Sequence, residues 1–159
     1  MTGPGVPHEL RLRPPRTDGG VGVDATPDNG ERIDVPPPHE AYANAPDLRR
    51  EIHRVLALEA ERDGRRAAPG TGSPAGTTAA ERVRLLRRAA LMDRLALEAP
   101  GPGPVAAAEE TAGQLVLHDR RHPDLVAGPH RPDAITLAAA RRYVRQEYAA
   151  WTAAGRPGT

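Results

Sequence analysis

Cysteine, lysine and phenylalanine do not occur in this chain of 159 residues. Without cysteine, the chain cannot form disulfides, cysteine-ligated zinc sites, iron–sulfur clusters or thiol nucleophiles. Ser73 is the only serine, and it lies in a segment rich in proline and glycine, so the sequence gives no support to a Ser–His–Asp triad. There is no run of about 18 apolar residues, and residues 1–16 lack an apolar stretch of signal-peptide length. We therefore expect a cytoplasmic protein without a membrane segment.

Large apolar side chains are also scarce. Hydrophobic residues make up 38% of the chain and aromatic residues 3%, whereas there are 18 prolines and 16 glycines. This composition lies close to that of disordered proteins, because a long part of the chain cannot bury enough apolar surface to offset its ordering entropy. The net charge of +1 also provides no overall field to recruit nucleic acid or an anionic membrane.

All 22 basic residues are arginine, which is the better of the two basic residues for clamping phosphate. Alanine, glycine and proline are enriched together with arginine, which is the pattern that GC-rich coding produces. The abundance of arginine therefore does not by itself indicate a nucleic-acid-binding protein.

The positions of proline and glycine divide the chain into five parts. We predict a disordered Pro/Gly-rich tail over residues 1–45, with a polyproline II stretch at the three consecutive prolines 36–38. A helix over residues 46–64, docked or mobile, follows, with Asn44 as its cap and Gly64 as its stop. Residues 65–77 form a flexible linker, residues 78–154 a helical bundle core, and residues 155–159 a disordered end.

One stripe of the first helix is predicted from helical spacing to contain Leu48, Ile52, Val55, Leu56 and Glu59. The second helix opens with a capping box from Thr78 to Glu81. Its apolar face carries five residues: Leu85, Leu86, Ala89, Met92 and Ala96.

The opposite face of the second helix carries Arg84, Arg87, Arg88 and Arg94, with Leu91 and Leu95 among them. This pattern predicts two contact surfaces, one for the core and one for another helix or a second subunit. Arg82 and Asp93 interrupt the apolar arc, so we expect one or both to have an ionic partner, within the core or across an interface.

The last two helices are predicted from proline positions and apolar spacing. One begins at Pro104 and lines one side with Val105, Ala108, Ala112, Leu115, Val116 and Asp119, while Gly113 either weakens it or permits close helix approach. The other is capped by Thr136 or Asp133 and ends at Gly155. It presents a coiled-coil-like seam of Leu137, Ala140, Val144, Tyr148 and Trp151, and it carries three of the four aromatic residues.

Three histidines, His118, His122 and His130, lie within thirteen residues near Asp119 and Asp124. His118 and His122 have the spacing of a helical metal-binding pair. However, Pro123 disfavours the helical conformation of the residue before it, so His122 is expected at or beyond the helix end. A polar corner, where cations face the free carbonyl groups of a helix end, is the favoured interpretation. Metal binding remains open, and we assign no metal, cofactor or catalytic residue.

These patterns predict an all-α fold, a bundle of three to four helices with a long disordered N-terminal tail. The favoured function is a non-enzymatic protein-interaction or regulatory module, because arginine, tyrosine and tryptophan dominate interface energetics. Its partner is an unidentified protein, and homodimerisation is a further hypothesis. The residues expected to face a partner are Leu91, Leu95, Tyr143 and Trp151.

The alternative is a nucleic-acid-binding accessory protein that uses the arginine-rich helix faces. Its candidate phosphate contacts are Arg84, Arg87, Arg88, Arg141, Arg142 and Arg145. The proline-rich connection at residues 99–105 is too long for a helix-turn-helix, and the net charge is near zero, so this alternative is less favoured.

The segments RLLRRAALMDRLALE and ARRYVRQEYAAW form a pair that resembles a pattern in small uncharacterised helical proteins of high-GC actinobacteria. The resemblance covers roughly residues 81–151, with HDRRHPD in a comparable place. It implies a source and a helical module, but no activity and no functional residues.

Overall fold

The computed structural model describes Met1, residues 34–67 and residues 74–156. The chain divides into two units, residues 1–30 and 31–159, and all described residues except Met1 belong to the second. That unit is all-α, as predicted, with no strand in the described ranges. Its helices are α1 (Pro38–Ala41), α2 (Leu48–Ala67), α3 (Pro74–Glu98), α4 (Pro102–Arg121) and α5 (Ala140–Ala153).

Helix α3 is the centre of the bundle and contacts α2, α4 and α5. Leu86 and Ala89 on its apolar face are buried, and so are Leu91 and Arg87 on the opposite side. The prediction of two contact surfaces on this helix is therefore confirmed, and another helix of the same chain covers the second surface. The arginines of the second surface can be buried because they are paired with carboxylates of α2.

The core lies between α3, α4 and α5 and has α5 as its main source of large side chains. Val144, Tyr148 and Trp151 are buried there, as the spacing predicts. The seam is wrong at its first position, because Leu137 is 63% exposed. Leu137 belongs to a separate 3₁₀ turn, Leu137–Ala139, which points it away from the stripe before α5 begins at Ala140.

Part of the predicted disordered tail is ordered, which corrects the expectation for residues 34–45. Helix α1 buries Ala41 and packs against α5. Tyr42, just after α1, lies edge-on to Tyr148 with ring centroids 5.3 Å apart. The chain there is rich in proline, but one aromatic ring and one buried alanine tie it to the core. The rest of the predicted tail, residues 2–33, lies outside the described residues.

Helix α2 differs from its prediction at both ends and on its buried face. Asp47, and not Asn44, caps it by accepting a hydrogen bond from the Arg50 N–H at 3.0 Å. The helix continues past Gly64, since one glycine costs only about 1 kcal/mol in a helix. Residues 65–67, predicted as linker, are therefore helical. Residues 74–77, also predicted as linker, belong to α3, and residues 68–73 lie outside the described residues.

The buried face of α2 centres on Val55 and Glu51, whereas Ile52 and Leu56 are exposed by 37% and 61%. The apolar-spacing prediction is right for Val55 but wrong for Ile52 and Leu56, because the neighbouring α3 surface is basic. The carboxylate of Glu51 is a better partner for that surface than the isobutyl group of Leu56.

Helices α3 and α4 begin earlier than predicted. The start of α3 at Pro74 places the predicted capping residue, Thr78, inside the helix. Helix α4 starts at Pro102, where a proline in the first turn loses no hydrogen bond. A Cβ at Gly113 would lie 3.7 Å from Leu137 Cδ2, which is ordinary contact, so close helix approach does not explain this glycine.

The end of α5 agrees with the sequence. Gly155 has a φ of +81°, a left-handed conformation that glycine adopts without strain. The Arg156 N–H then donates to the Trp151 carbonyl at 2.9 Å and closes the helix end. Residues 155–156 are thus ordered, in contrast to the prediction, and residues 157–159 lie outside the described range.

Within the described ranges, no helix has the length and apolar character needed to span a membrane.

Candidate functional site: a basic cleft beside a core of buried ion pairs

The deepest polar group is an ionic cluster in which Arg82 joins two buried carboxylates. Its guanidinium donates two hydrogen bonds to Asp119, at 2.9 and 2.8 Å, and one to Glu147 at 2.6 Å. The Tyr143 hydroxyl donates to Asp119 at 2.8 Å. Burial lowers the pKa of Arg82, but the hydrogen bonds and charges of both carboxylates outweigh it and raise this pKa above its ordinary value. The cluster therefore holds α3, α4 and α5 together.

Glu147 also fixes the loop that connects α4 to α5. Its two carboxylate oxygens accept the backbone N–H groups of Ala127 and Gly128, at 3.0 and 2.9 Å. The neighbouring Gln146 side chain donates to the His130 carbonyl at 3.1 Å. This loop, which contains three short 3₁₀ turns, is thus positioned by side chains of α5 that the bundle already holds.

Replacement of Gly128 by alanine is expected to destabilise the protein by about 1–3 kcal/mol. The added Cβ would overlap the side-chain ends of Gln146 and Glu147. A shift of Glu147 would weaken its hydrogen bond to Arg82 and those to the backbone of Ala127 and Gly128. Chemical denaturation followed by circular dichroism measures the loss, with Gly103→Ala as the control, because a Cβ there meets nothing within 4 Å. Equal stability of the two variants would contradict the role of Glu147 and Gln146 in positioning this loop.

A second ionic cluster surrounds Asp93, which is fully buried. Arg141 donates to this carboxylate at 2.6 Å, Arg145 at 2.8 and 3.1 Å, and the Tyr42 hydroxyl at 2.8 Å. Burial raises the pKa of Asp93, but Arg145, Tyr42 and Arg141 together lower it below its ordinary value. The sequence predicts that Arg82 and Asp93 need ionic partners; the structure confirms it and places both sets of partners within this chain.

A third buried pair joins α2 to α3. Arg87 donates two parallel hydrogen bonds to Glu51, both 2.8 Å long. The Arg87 guanidinium also lies 5.6 Å from the centre of the Trp151 ring, within cation–π range. These three clusters use charged groups that are shielded from solvent, so they organise the bundle and are not available to a ligand.

The accessible polar site is an open cleft of about 420 Å³ between α2, α3 and α4, which we call the basic cleft. Four arginines line it: Arg62, Arg84, Arg88 and Arg121. Glu81, His118 and Gln114 lie on its walls, and Leu85 and Leu117 contribute apolar surface.

Within the described ranges, two carboxylates, those of Glu59 and Glu81, lie within ion-pair distance of the arginines of this cleft. Arg84 is bonded to Glu81 at 2.9 and 2.7 Å and to Glu59 at 2.5 Å. The Arg84 hydrogen bonds lower the pKa of Glu81, which keeps it ionised. Arg62 and Arg88 reach the same two carboxylates only at 3.4 and 3.8 Å.

The exposed side chain of Arg121 completes the set, and it has no ion-pair partner within the described part of the chain. Among the residues that the structure describes, four guanidinium groups against two carboxylates leave two positive charges in excess around this cleft. This arrangement is suited to binding an anion, because arginine pairs with carboxylate and phosphate groups through two parallel hydrogen bonds.

An apolar cleft adjoins the basic cleft along the exposed face of α4. It has a volume of about 580 Å³, and Leu117 and Gln114 line both clefts. Leu137 and Glu110 are further along the apolar cleft. Leu117 is 46% exposed and Leu137 is 63% exposed. Two large apolar side chains in one cleft form a surface that favours a partner more than isolated exposed leucines do.

The three histidines do not come together as a group of metal ligands in the described ranges. The rings of His118 and His122 are tilted by 45° to each other, with centroids 4.7 Å apart, and His118 Nδ1 lies 3.3 Å from Asp119 Oδ1. His130 lies on the connecting loop next to Gln146. No group of three or more metal-ligating side chains occurs in the described ranges. His122 follows the last residue of α4, as Pro123 predicts.

Three of the four residues expected to face a partner are in the core. Leu91, Tyr143 and Trp151 are at most 3% exposed, so the prediction of an interface through them is wrong. Leu95 is half-buried on α3. These three large side chains fill the core, so they are not available to a partner.

The arginines proposed as phosphate contacts are mostly engaged within the chain. Arg84 and Arg87 are buried and paired with glutamates, and Arg141 and Arg145 are bonded to Asp93. Arg142 is half-buried. The prediction that Arg84 and Arg87 are surface contacts is therefore wrong, because both form interior ion pairs. Of the six predicted phosphate contacts, Arg88 is the half-exposed one that lines the basic cleft.

Sequence reasoning missed Arg62 and Arg121 as members of one site. Arg121 is visible in the sequence as a basic residue in the last turn of a helix. Its approach to Arg62, however, depends on how α2 and α4 pack on α3, and no local pattern encodes this packing.

The fold and the cleft define an all-α bundle with an ionic core and an arginine-rich surface site. No protein-family model, curated protein or solved structure matches this chain.

Proposed function

We propose that this protein is a non-enzymatic protein-interaction module and that it binds its partner along the exposed face of α4. The observation that carries the proposal is the continuous surface on which Leu117 and Leu137 are exposed beside the basic cleft. Apolar groups flanked by arginine are a combination that contributes strongly to protein interfaces.

The ionic core supports a binding role for this surface. Because Asp93, Asp119 and Glu147 are buried and paired, the chain holds a rigid scaffold beneath α4. A preformed surface loses less conformational entropy on binding than a flexible one. The scaffold thus supplies preorganisation, and the exposed side chains supply the contacts.

Nucleic-acid binding is the less favoured alternative. The pairing of Arg84, Arg87, Arg141 and Arg145 with carboxylates removes most of the charge on which that interpretation depends. The two exposed leucines also have no role in phosphate contacts. The cytoplasmic location, the actinobacterial source and self-association stay predictions of the sequence.

A comparative capture experiment tests the proposal. Full-length wild-type protein and the double variant Leu117→Ser/Leu137→Ser are immobilised and exposed to lysate of the native cells. We expect at least one protein to bind the wild type and to be lost from the variant, and to bind again when purified.

The matched control is Ile52→Ser/Leu56→Ser, which removes two exposed apolar side chains from α2. It should retain the partner, and circular dichroism should show equal helicity for all three proteins. A purified candidate that binds both double variants equally would rule out the α4 surface.

A further inference from the structure

We propose that the basic cleft binds an acidic segment of the partner protein, whose carboxylates pair with Arg88 and Arg121 while an apolar side chain of that segment packs on Leu117. This inference rests on the proposed function and names the chemistry of the partner.

The excess positive charge of the cleft requires a ligand with negative charge. Glu59 and Glu81 are already bound to Arg84 at 2.5 and 2.7 Å. The 3.8 Å separation between Arg88 and Glu59 is too long for a hydrogen bond, so the Arg88 guanidinium retains its hydrogen-bonding capacity. The exposed Arg121 retains its capacity as well. A ligand that carries two negative charges would balance the excess.

The form of the surface distinguishes an acidic peptide from a nucleic acid. Leu117 lies between the basic cleft and the apolar cleft, and Leu137 lies beyond it. A segment that follows α4 would meet arginine first, then leucine, and finally the acidic residues Glu109 and Glu110. Phosphates are uniformly charged along a nucleic-acid backbone, and the two glutamates would repel them.

The length of the surface sets the size of the segment. Glu110 and Arg121 are separated by eleven positions in α4, a distance of roughly 16 Å at the helical rise per residue. An extended peptide covers this distance with about five residues. The segment therefore carries its acidic residues at one end and its apolar residues in the middle.

A binding titration tests the proposal with the full-length protein and a fluorescent peptide that has two aspartates followed by two leucines. We expect anisotropy to show saturable binding at low salt and no comparable binding of a peptide with arginines in place of the aspartates. Arg121→Glu should weaken the affinity about tenfold or more. Arg49→Glu, the same charge change near the opposite end of α2, should alter it about twofold or less.

Glu81→Gln is expected to increase the affinity for the acidic peptide, a result that a misfolded variant would not give. The substitution retains the shape of Glu81 but removes one of the two carboxylates that balance the cleft arginines. We expect the affinity for the acidic peptide to increase several-fold. A decrease would contradict the role assigned to the excess charge.

Three results would overturn the proposal. The first is equal binding of the acidic and basic peptides, and the second is equal weakening by Arg121→Glu and Arg49→Glu. The third is tighter binding of duplex DNA that Arg121→Glu abolishes and Leu117→Ser leaves unchanged. A partner that requires Leu117 and Leu137 but tolerates Arg121→Glu would refute the acidic segment and leave the interaction module intact.

Discussion

Replacement of Arg82 by alanine is expected to destabilise the protein by about 3–5 kcal/mol, which is comparable to the whole stability of many small domains. The variant leaves Asp119 and Glu147 buried without their cation, and both are inaccessible to solvent. The penalty comes mainly from the two uncompensated carboxylates, because the ion pair itself offsets its own desolvation only in part.

Urea denaturation, followed by circular dichroism, measures the difference in stability between this variant and the wild type. Arg88→Ala is the control, since Arg88 is half-exposed and 3.8 Å from its glutamate, and it should lose less than about 1 kcal/mol. A similar loss of stability in both variants would mean that the buried Arg82 cluster contributes no more to stability than the half-exposed Arg88 does.

Replacement of Trp151 by alanine is expected to cost about 3–5 kcal/mol. Trp151 is 3% exposed, its ring lies 5.5 Å from that of Tyr148, and Arg87 lies over its face. The chain has only four aromatic residues and no phenylalanine, and the neighbouring Tyr148 ring already packs against Tyr42, so no further ring is available to fill the space. Trp151→Phe should retain a large part of the stability because it keeps an aromatic ring in the core.

Circular dichroism measures this loss, since the variants lack the tryptophan fluorescence signal. The control is Leu56→Ala on α2, where the side chain is 61% exposed and the expected change is within about 0.5 kcal/mol. Sedimentation of Trp151→Phe should match the wild type, whatever its oligomeric state, because the ring is directed into the core. A change in association without a loss of stability would restore Trp151 as an interface residue.

Much of the helical organisation follows from local sequence. Prolines in the first turn mark the start of α4, Gly155 marks the end of α5, and Pro123 ends α4 after Arg121. These signals act through the backbone of a few neighbouring residues, so they can be recognised without the rest of the chain. Helix boundaries still differ from the prediction by a few residues where the stop signal is weak, as at Gly64, because one glycine costs a helix only about 1 kcal/mol.

The apolar stripe of α5 was also predictable, since Val144, Tyr148 and Trp151 are among the few large hydrophobic groups available for a core. The exposed Leu137 shows the limit of that reasoning. Its spacing fits the stripe, but the 3₁₀ turn before α5 rotates it towards solvent.

The sequence by itself determined that this chain is helical, that α5 supplies its large core residues, and that Arg82 and Asp93 need ionic partners. Only the tertiary structure decided which partners these are and which arginines remain in excess. Arg82 meets Asp119 and Glu147 across 37 and 65 residues of chain, and Arg121 meets Arg88 only where α4 packs on α3. Periodicity reports which face of a helix is apolar, whereas charge pairing depends on the relative placement of helices far apart in sequence.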